Sequence, residues 1–231
     1  MILFYANEIT DTSALLEQDE YHHCCKVLRH KEGDVINITD GNGKRAKAVI
    51  DKVSKREAML SITEQQFIEP SNNEIILVVA PPKNRSRWEW LIEKSVEIGV
   101  TEIIPLVTAR SERQKVNQER SQKIMRSAAL QSMRPYHPRL SPMMNFKSII
   151  DNESYADKMR FLASFSAENS QLLDHRSTAK KALIMIGPEG DFTTEEIAIA
   201  RQQGMTTVNI SSNRLRTETA AIVAVTLLAK G

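Results

Sequence analysis

The sequence predicts an α/β chain in which a parallel-sheet domain of alternating strands and helices follows a smaller, strand-rich module. Short, continuously apolar runs, Ile75-Ile76-Leu77-Val78-Val79-Ala80 and Ala182-Leu183-Ile184-Met185-Ile186, have the length and texture of strands buried on both faces. Segments of helical period follow them, and that alternation implies an open sheet with ligands at the carboxyl ends of its strands. Before residue 70 the pattern is different, with short strands joined through Asp40-Gly41-Asn42-Gly43, a strong hairpin signal.

The 231 residues allow one large domain or a small one plus a medium one. Lys and Arg number 31 against 29 Asp and Glu, a net charge of +2, so any nucleic-acid affinity must come from local clustering. No apolar run reaches membrane-spanning length, and the N-terminus shows neither the basic segment nor the small-residue cleavage pattern of a secretory signal. A soluble cytoplasmic protein with no membrane partner is expected. Cys24 and Cys25 are adjacent, poorly placed to pair with each other, and suit a reducing compartment. His22-His23-Cys24-Cys25 offers metal-binding residue types, but consecutive side chains diverge and no second cluster completes a set of about four ligands, so no metal is expected.

In the first module, Ile2-Leu3-Phe4-Tyr5 and Val35-Ile36-Asn37-Ile38 read as strands, and the hairpin leads into Ala46, Val49 and Ile50. Gly41 and Gly43 read as turn residues that carry no chemistry. Ala58, Leu60 and Ile62 alternate with Met59, Ser61 and Thr63 as a further strand. Residues 22–31 gather positive charge and imidazoles, with Val27 and Leu28 expected to anchor the segment to the core. Glu69-Pro70-Ser71-Asn72-Asn73 has the composition of a linker, giving expected domains 1–70 and 74–231.

In the second domain, Trp88, Leu91, Ile92 and Val96 share one helical face, with Gly99 as the stop. Glu102-Ile103-Ile104-Pro105-Leu106-Val107 is the next strand, and Asn117 caps a helix through Ser132 with a stripe of Ile124, Met125, Ala128 and Ala129. Residues 83–139 hold twelve Lys or Arg against six Asp or Glu, the most basic stretch of the chain and a candidate nucleic-acid face. Lys83, Arg85 and Arg87 follow one strand, and Arg110 and Arg113 follow the next, at the end where ligand loops of α/β sheets lie.

The last fifty residues repeat a strand, loop and helix plan. The 182–186 strand ends in Gly187-Pro188-Glu189-Gly190-Asp191, and Thr193 with Glu196 forms a capping box for a helix carrying Ile197 and Ala200 as far as Gly204. Thr207-Val208-Asn209-Ile210 is a strand, residues 211–216 a polar loop and residues 217–230 a helix. That helix is apolar nearly all the way round and must be buried on more than one side. Since it is too short to span a bilayer, a second subunit is the expected cover, and a homodimer follows.

Gly187-Pro188-Glu189-Gly190-Asp191-Phe192-Thr193 and Ser211-Ser212-Asn213-Arg214-Leu215-Arg216-Thr217-Glu218-Thr219-Ala220 resemble, in order and spacing, the paired signature of the bacterial ribosomal RNA small subunit methyltransferase E family. Val27-Leu28-Arg29 followed by Gly33-Asp34, and Glu93-Lys94-Ser95-Val96-Glu97-Ile98-Gly99-Val100, extend the likeness over nearly the whole chain. The resemblance implies a SPOUT trefoil-knotted methyltransferase domain preceded by a small, PUA-like β-barrel domain that binds RNA. It further implies S-adenosylmethionine as cofactor, methylation of N3 of a uridine in 16S (small-subunit) ribosomal RNA, and ribosomal RNA or the small ribosomal subunit as partner. A SPOUT-type enzyme for another RNA site and a non-catalytic ribosome-assembly RNA-binding protein are the alternatives; the intact motifs favour the enzyme. The sequence departs from the family at Leu130, usually acidic, and at Asp191, often glycine.

The candidate site follows from these motifs. Gly187 and Gly190 lack side chains and let backbone groups approach an adenosyl moiety closely, although a tight turn would use them equally. The cofactor pocket is expected around Leu162, Gly187, Pro188, Glu189, Gly190, Ile210, Ser211 and Leu215. Lys26, Arg29, Lys83, Arg85, Arg110 and Arg134 are the candidate RNA contacts. Uracil N3 carries a proton and is a poor nucleophile until it leaves, so the reaction needs a base or a group that stabilises the anion; neither a metal nor a covalent intermediate is required. Arg216 stays protonated and suits the stabilising role. Glu218 either takes the proton or favours the positive end of the last helix.

Overall fold

The computed structural model describes residues 2–165, 170–175 and 178–229. The chain divides into two units, Met1–Pro70 with Ala129–His137, and Ser71–Ala128 with Pro138–Gly231.

In unit 1, β1 (Leu3–Tyr5), β2 (Ser13–Glu17), β3 (Val35–Thr39), β4 (Lys44–Val53) and β5 (Glu57–Phe67) form a five-stranded sheet in the order β1-β3-β4-β5-β2. Only β1 and β3 run parallel. Alternation puts Ile36, Ile38, Ala46, Ala48, Ile50, Ala58 and Leu60 on the core side with Phe4 and Leu16. The hairpin turn is tied by Asp40, whose Oδ1 accepts from Asn42 N at 2.7 Å and Lys44 N at 3.1 Å. Residues 129–137 lie across it. Gly43 N donates to Pro135 O at 2.9 Å, His137 N donates to Gly41 O at 2.8 Å, and the Tyr136 hydroxyl donates to Ile68 O at 2.8 Å. Gly41 and Gly43 are therefore more than turn residues: both have positive φ, +70° and +99°, and the space beside them is filled by the His137 ring and Tyr136.

Residues 18–27 also differ from expectation. The helix α1 (Gln18–Tyr21) runs into a wider π-helical turn, His22–Val27, that buries Tyr21 and Cys24. Val27 and Leu28 are not anchors; they are 58% and 37% exposed. The reason lies in how the helix stops. His30 N donates back to Cys24 O at 3.1 Å around Arg29 at φ 62°, which ends the helix just after Val27 and Leu28 and leaves both in an exposed last turn.

Unit 2 is built on β6 (Glu74–Val79), β7 (Glu102–Val107), β8 (Arg139–Leu140), β9 (Met144–Asn145), β10 (Met159–Ala163), β11 (Lys181–Ile186) and β12 (Thr206–Val208). Among the described residues they form a sheet in the order β12-β10-β11-β6-β7-β8, with β9 also on β7, and every pair is parallel. Strands β6 and β11 are buried almost throughout, which is why their sequences are continuously apolar. The chain begins this sheet at β6, builds β7 and β8 on one side, then β10, β11 and β12 on the other. The register aligns Val79, Ile186, Ala163 and Val208, so the loops leaving four adjacent strands emerge together at one edge. Reversal of strand order beside β6 puts a switch point at that edge, where open α/β sheets hold ligands.

Helices α2 (Arg85–Ile98), α3 (Gln118–Gln131), α4 (Phe146–Ile150), α5 (Thr194–Gln202) and α6 (Thr217–Ala229) complete the fold. Asn84 caps α2 by accepting from Ser86 N at 2.8 Å, and Gly99 ends it at φ 136°. Asn117 caps α3 through Arg120 N at 2.9 Å. The predicted strand 207–210 is shorter: it stops at Val208, because Asn209 leaves the ladder to donate to Ser170 O at 2.8 Å. Helix α6 buries Ala221, Ala224, Val225 and Leu228, while Ile222, Val223, Thr226 and Leu227 stay half-buried; Lys230, the predicted last helical residue, lies outside the described residues.

Candidate active site

The loops after β10, β11 and β12 enclose a cavity of about 560 Å³. Its wall combines apolar side chains, Ile186, Ile210, Leu215 and Ala220, with Gly187, Pro188, Glu189, Asp191, Ser211, Arg214 and Arg216. Six of the eight expected cofactor residues thus come together: Gly187, Pro188, Glu189, Ile210, Ser211 and Leu215. Leu162 is fully buried within β10, and Gly190 is off the wall.

The loop 187–192 is gripped by side chains from elsewhere in unit 2. Thr217 Oγ1 donates to Gly187 O at 3.2 Å, Arg214 Nη2 donates to Glu189 O at 3.1 Å, and Arg110 Nη1 donates to Gly190 O at 2.7 Å. A Cβ on Gly190 would meet Arg110 Cδ at 3.3 Å, and one on Gly187 would meet the Phe192 ring at 3.1 Å. The space each glycine leaves is filled by protein, so both permit close packing of the loop. The Glu196 carboxylate closes the capping box on Thr193 N at 2.9 Å and also accepts from Ala109 N at 2.9 Å, joining the loop after β7 to the start of α5. Asp191 has φ 60°, a left-handed conformation costing a non-glycine residue roughly 1 kcal/mol, and its side chain accepts from Phe192 N at 2.7 Å and Ser164 Oγ at 3.1 Å.

The two candidate catalytic residues differ. Arg216 is exposed on the cavity wall, and among the described residues its side chain has no hydrogen-bond or ion-pair partner. Glu218, in the first turn of α6, is only 8% exposed, lies off the wall, and pairs with Arg87 Nε at 3.4 Å.

The candidate RNA residues are also unlike one another. In unit 1, Lys26 and Arg29 are exposed, and Lys26 sits 5.4 Å from the Tyr21 ring centre, whose hydroxyl raises the lysine pKa. Arg134 is half-buried, and burial lowers its pKa, although a guanidinium remains charged. In unit 2, Lys83 pairs with Glu112 at 2.9 Å, Arg85 with Glu89 at 2.8 Å, and Arg110 is committed to the 187–192 loop. Arg120 joins Arg85 on Glu89, and the two guanidiniums hold that carboxyl down to about 2. Burial, reinforced by Cys25, pushes the Cys24 thiol up to about 12, which leaves it unreactive near neutral pH. Sequence reasoning gave no role to Ser164, Asn209, Asn213 or Arg214, all on the wall. Arg214 and Asn213 lay inside the second motif; Ser164 follows a strand end with no local signal.

A profile of the RNA methyltransferase domain matches residues 69–229, and one of the RNA methyltransferase PUA domain matches residues 16–63. The chain is 28% identical over 225 residues to the ribosomal RNA small subunit methyltransferase E of Bacillus subtilis, covering 91% of this chain and 87% of that protein. It belongs to that family of RNA methyltransferases. Among solved structures, a probable rRNA-methyltransferase from Porphyromonas gingivalis shares 33% identity at a TM-score of 0.87, covering 97% of this chain and 95% of that one. The family's enzyme from Neisseria gonorrhoeae, bound to S-adenosyl methionine, shares 27% identity at a TM-score of 0.85 with the same coverages. The expected α/β methyltransferase unit preceded by a PUA-type unit is the fold of this family.

Proposed function

We propose that the chain transfers a methyl group from S-adenosylmethionine to N3 of a uridine in small-subunit ribosomal RNA. The observation that carries this reading is the cavity at the carboxyl ends of β10, β11 and β12, with an unpartnered guanidinium, Arg216, on its wall. The cavity's size suits a nucleoside-bearing cofactor, and its apolar side chains suit an adenine ring. Gly187, Pro188, Glu189, Ile210, Ser211 and Leu215 would hold it, with Leu162 and Gly190 supporting from behind. When bound, the cofactor supplies an electrophilic methyl on a sulfonium. The residues of this chain must orient the uracil and stabilise it as an anion once N3 has given its proton to solvent water, so that N3 takes the methyl as the sulfonium becomes an uncharged thioether. Arg216 donates to a uracil oxygen, a contribution of roughly 3 kcal/mol for one preorganised donor. The ion pair of Glu218 with Arg87 supports a structural role at the start of α6 over proton transfer.

Residues 1–70 act as the PUA-like RNA-binding domain and residues 74–231 as the methyltransferase domain. Lys26, Arg29, Lys83, Arg85 and Arg134 are the proposed RNA contacts, and the enzyme works in the cytoplasm. Among the described residues no helix is long and apolar enough to cross a membrane. The half-buried apolar side of α6 supports a homodimer, and sedimentation at micromolar concentration should give twice the 26.1 kDa chain mass. The test of the reaction is methylation of unmodified small subunits or their RNA, followed by nucleoside mass spectrometry. N3-methyluridine is expected; a methyl group on a ribose oxygen, or none, would refute the reading.

A further inference from the structure

Asp191 is a residue whose backbone would suit glycine better. Its φ of 60° strains a side-chain-bearing residue, yet the side chain lies on the cavity wall. Its carboxylate is held in place, one oxygen by Phe192 N at 2.7 Å and the other by Ser164 Oγ at 3.1 Å. Each bond uses one acceptor position per oxygen and leaves another on each. Among the described residues no cation pairs with it, although Arg214 and Arg216 stand on the same wall. A fixed carboxylate, kept in a strained conformation and facing a ligand cavity without a counter-ion, is placed to meet positive charge on the ligand.

We propose that Asp191 makes this cavity selective for the positively charged sulfonium of S-adenosylmethionine over the uncharged thioether of S-adenosylhomocysteine. The inference rests on the cofactor reading given above. The two molecules share the same adenine, ribose hydroxyls and amino-acid end, and differ at sulfur by one methyl group and one positive charge. A group that reads the hydroxyls or the ammonium acts on both alike, whereas one that reads charge at sulfur separates them. Transfer of the methyl group removes the attraction, so Asp191 favours exchange of spent for fresh cofactor.

The test is calorimetric titration of the full chain with each molecule in turn, for the parent, Asp191→Asn and Asp191→Gly. Asparagine tolerates the left-handed conformation and can still accept from Phe192 N, so it removes the charge with the least change of shape. Asp191→Asn should lower the preference for S-adenosylmethionine by about three- to tenfold and leave S-adenosylhomocysteine affinity within about twofold, with a smaller effect at high salt. Asp191→Gly should give the same loss of preference while relieving the backbone, and it carries the test if the asparagine variant fails to fold. An unchanged preference, or equal losses for both molecules, would overturn the proposal. A parent that binds neither would overturn the cofactor reading, and this inference with it.

Discussion

The two glycine-bearing loops, residues 40–43 in unit 1 and 187–191 in unit 2, look alike in sequence and use glycine differently. In the first, Gly41 and Gly43 hold φ of +70° and +99°, and the space where their side chains would stand is taken by His137 and Tyr136. Conformation and packing both require glycine there. In the second, Gly187 and Gly190 have no such φ, and the left-handed position falls to Asp191. Those glycines serve close packing against Phe192 and Arg110, and the loop is held by bonds to its carbonyls. A fold-building turn thus needs glycine for its own backbone conformation as well as for packing, whereas the site-building loop needs it for packing alone and is held by side chains that grip its carbonyls.

Substitutions should separate the two loops. The largest effect on stability is expected for Gly43→Ala, whose Cβ would sit 2.9 Å from Ile68 O on a backbone already at positive φ. A loss of about 2 to 4 kcal/mol in denaturant unfolding is expected. Gly187→Ala meets the buried Phe192 ring at 3.1 Å and Phe192 N at 3.4 Å, but its backbone is not at positive φ, so it should cost less, about 1 to 2 kcal/mol. Equal losses in the two variants would break the comparison.

Arg110→Ala should loosen the 187–192 loop and weaken S-adenosylmethionine binding about tenfold, the equivalent of one lost charge-assisted hydrogen bond. Its salt dependence of RNA binding should stay as in the parent. A salt slope smaller by about one unit with cofactor affinity unchanged would return Arg110 to the set of phosphate contacts.

The smallest effect concerns pH. Glu89 has its carboxyl held at about 2 by Arg120 and Arg85, below the usual carboxylate value, so its contribution to stability is full above about pH 4.5 and is lost as pH falls toward 2. Thermal unfolding from pH 6 to 3 should therefore show a steeper decline in the parent than in Glu89→Gln. Parallel curves would mean that the Arg85, Glu89 and Arg120 cluster does not hold α2 to α3.

Much of the fold was legible because its signals are local. The runs at 75–80, 102–107 and 182–186 are buried strands, and Thr193 with Glu196 is a capping box. What was not legible depends on residues far apart in the chain. Nothing near Glu196 shows that its other oxygen reaches Ala109, and nothing near Gly190 shows that Arg110 fills the space beside it. Residues 129–137 read as the end of a helix and a connection, yet they belong with unit 1, because Tyr136 and His137 fit the hairpin glycines. Val27 and Leu28 misled for the opposite reason: their apolar character marked them as anchors, yet they fall in the last turn before the left-handed Arg29 and stay exposed. Among site residues, the motif loops revealed the backbone wall but not Ser164, which comes from a strand end and matters through Asp191.

The central claim is that methyl transfer takes place in the cavity between the loops after β11 and β12, assisted by Arg216. Single-turnover methylation of small-subunit RNA at saturating S-adenosylmethionine, with parent and Arg216→Ala side by side, tests it most directly. The variant should bind the cofactor within about twofold of the parent and slow the chemical step by at least about a hundredfold. A folded Arg216→Ala that methylates uridine at the parental rate would contradict the claim.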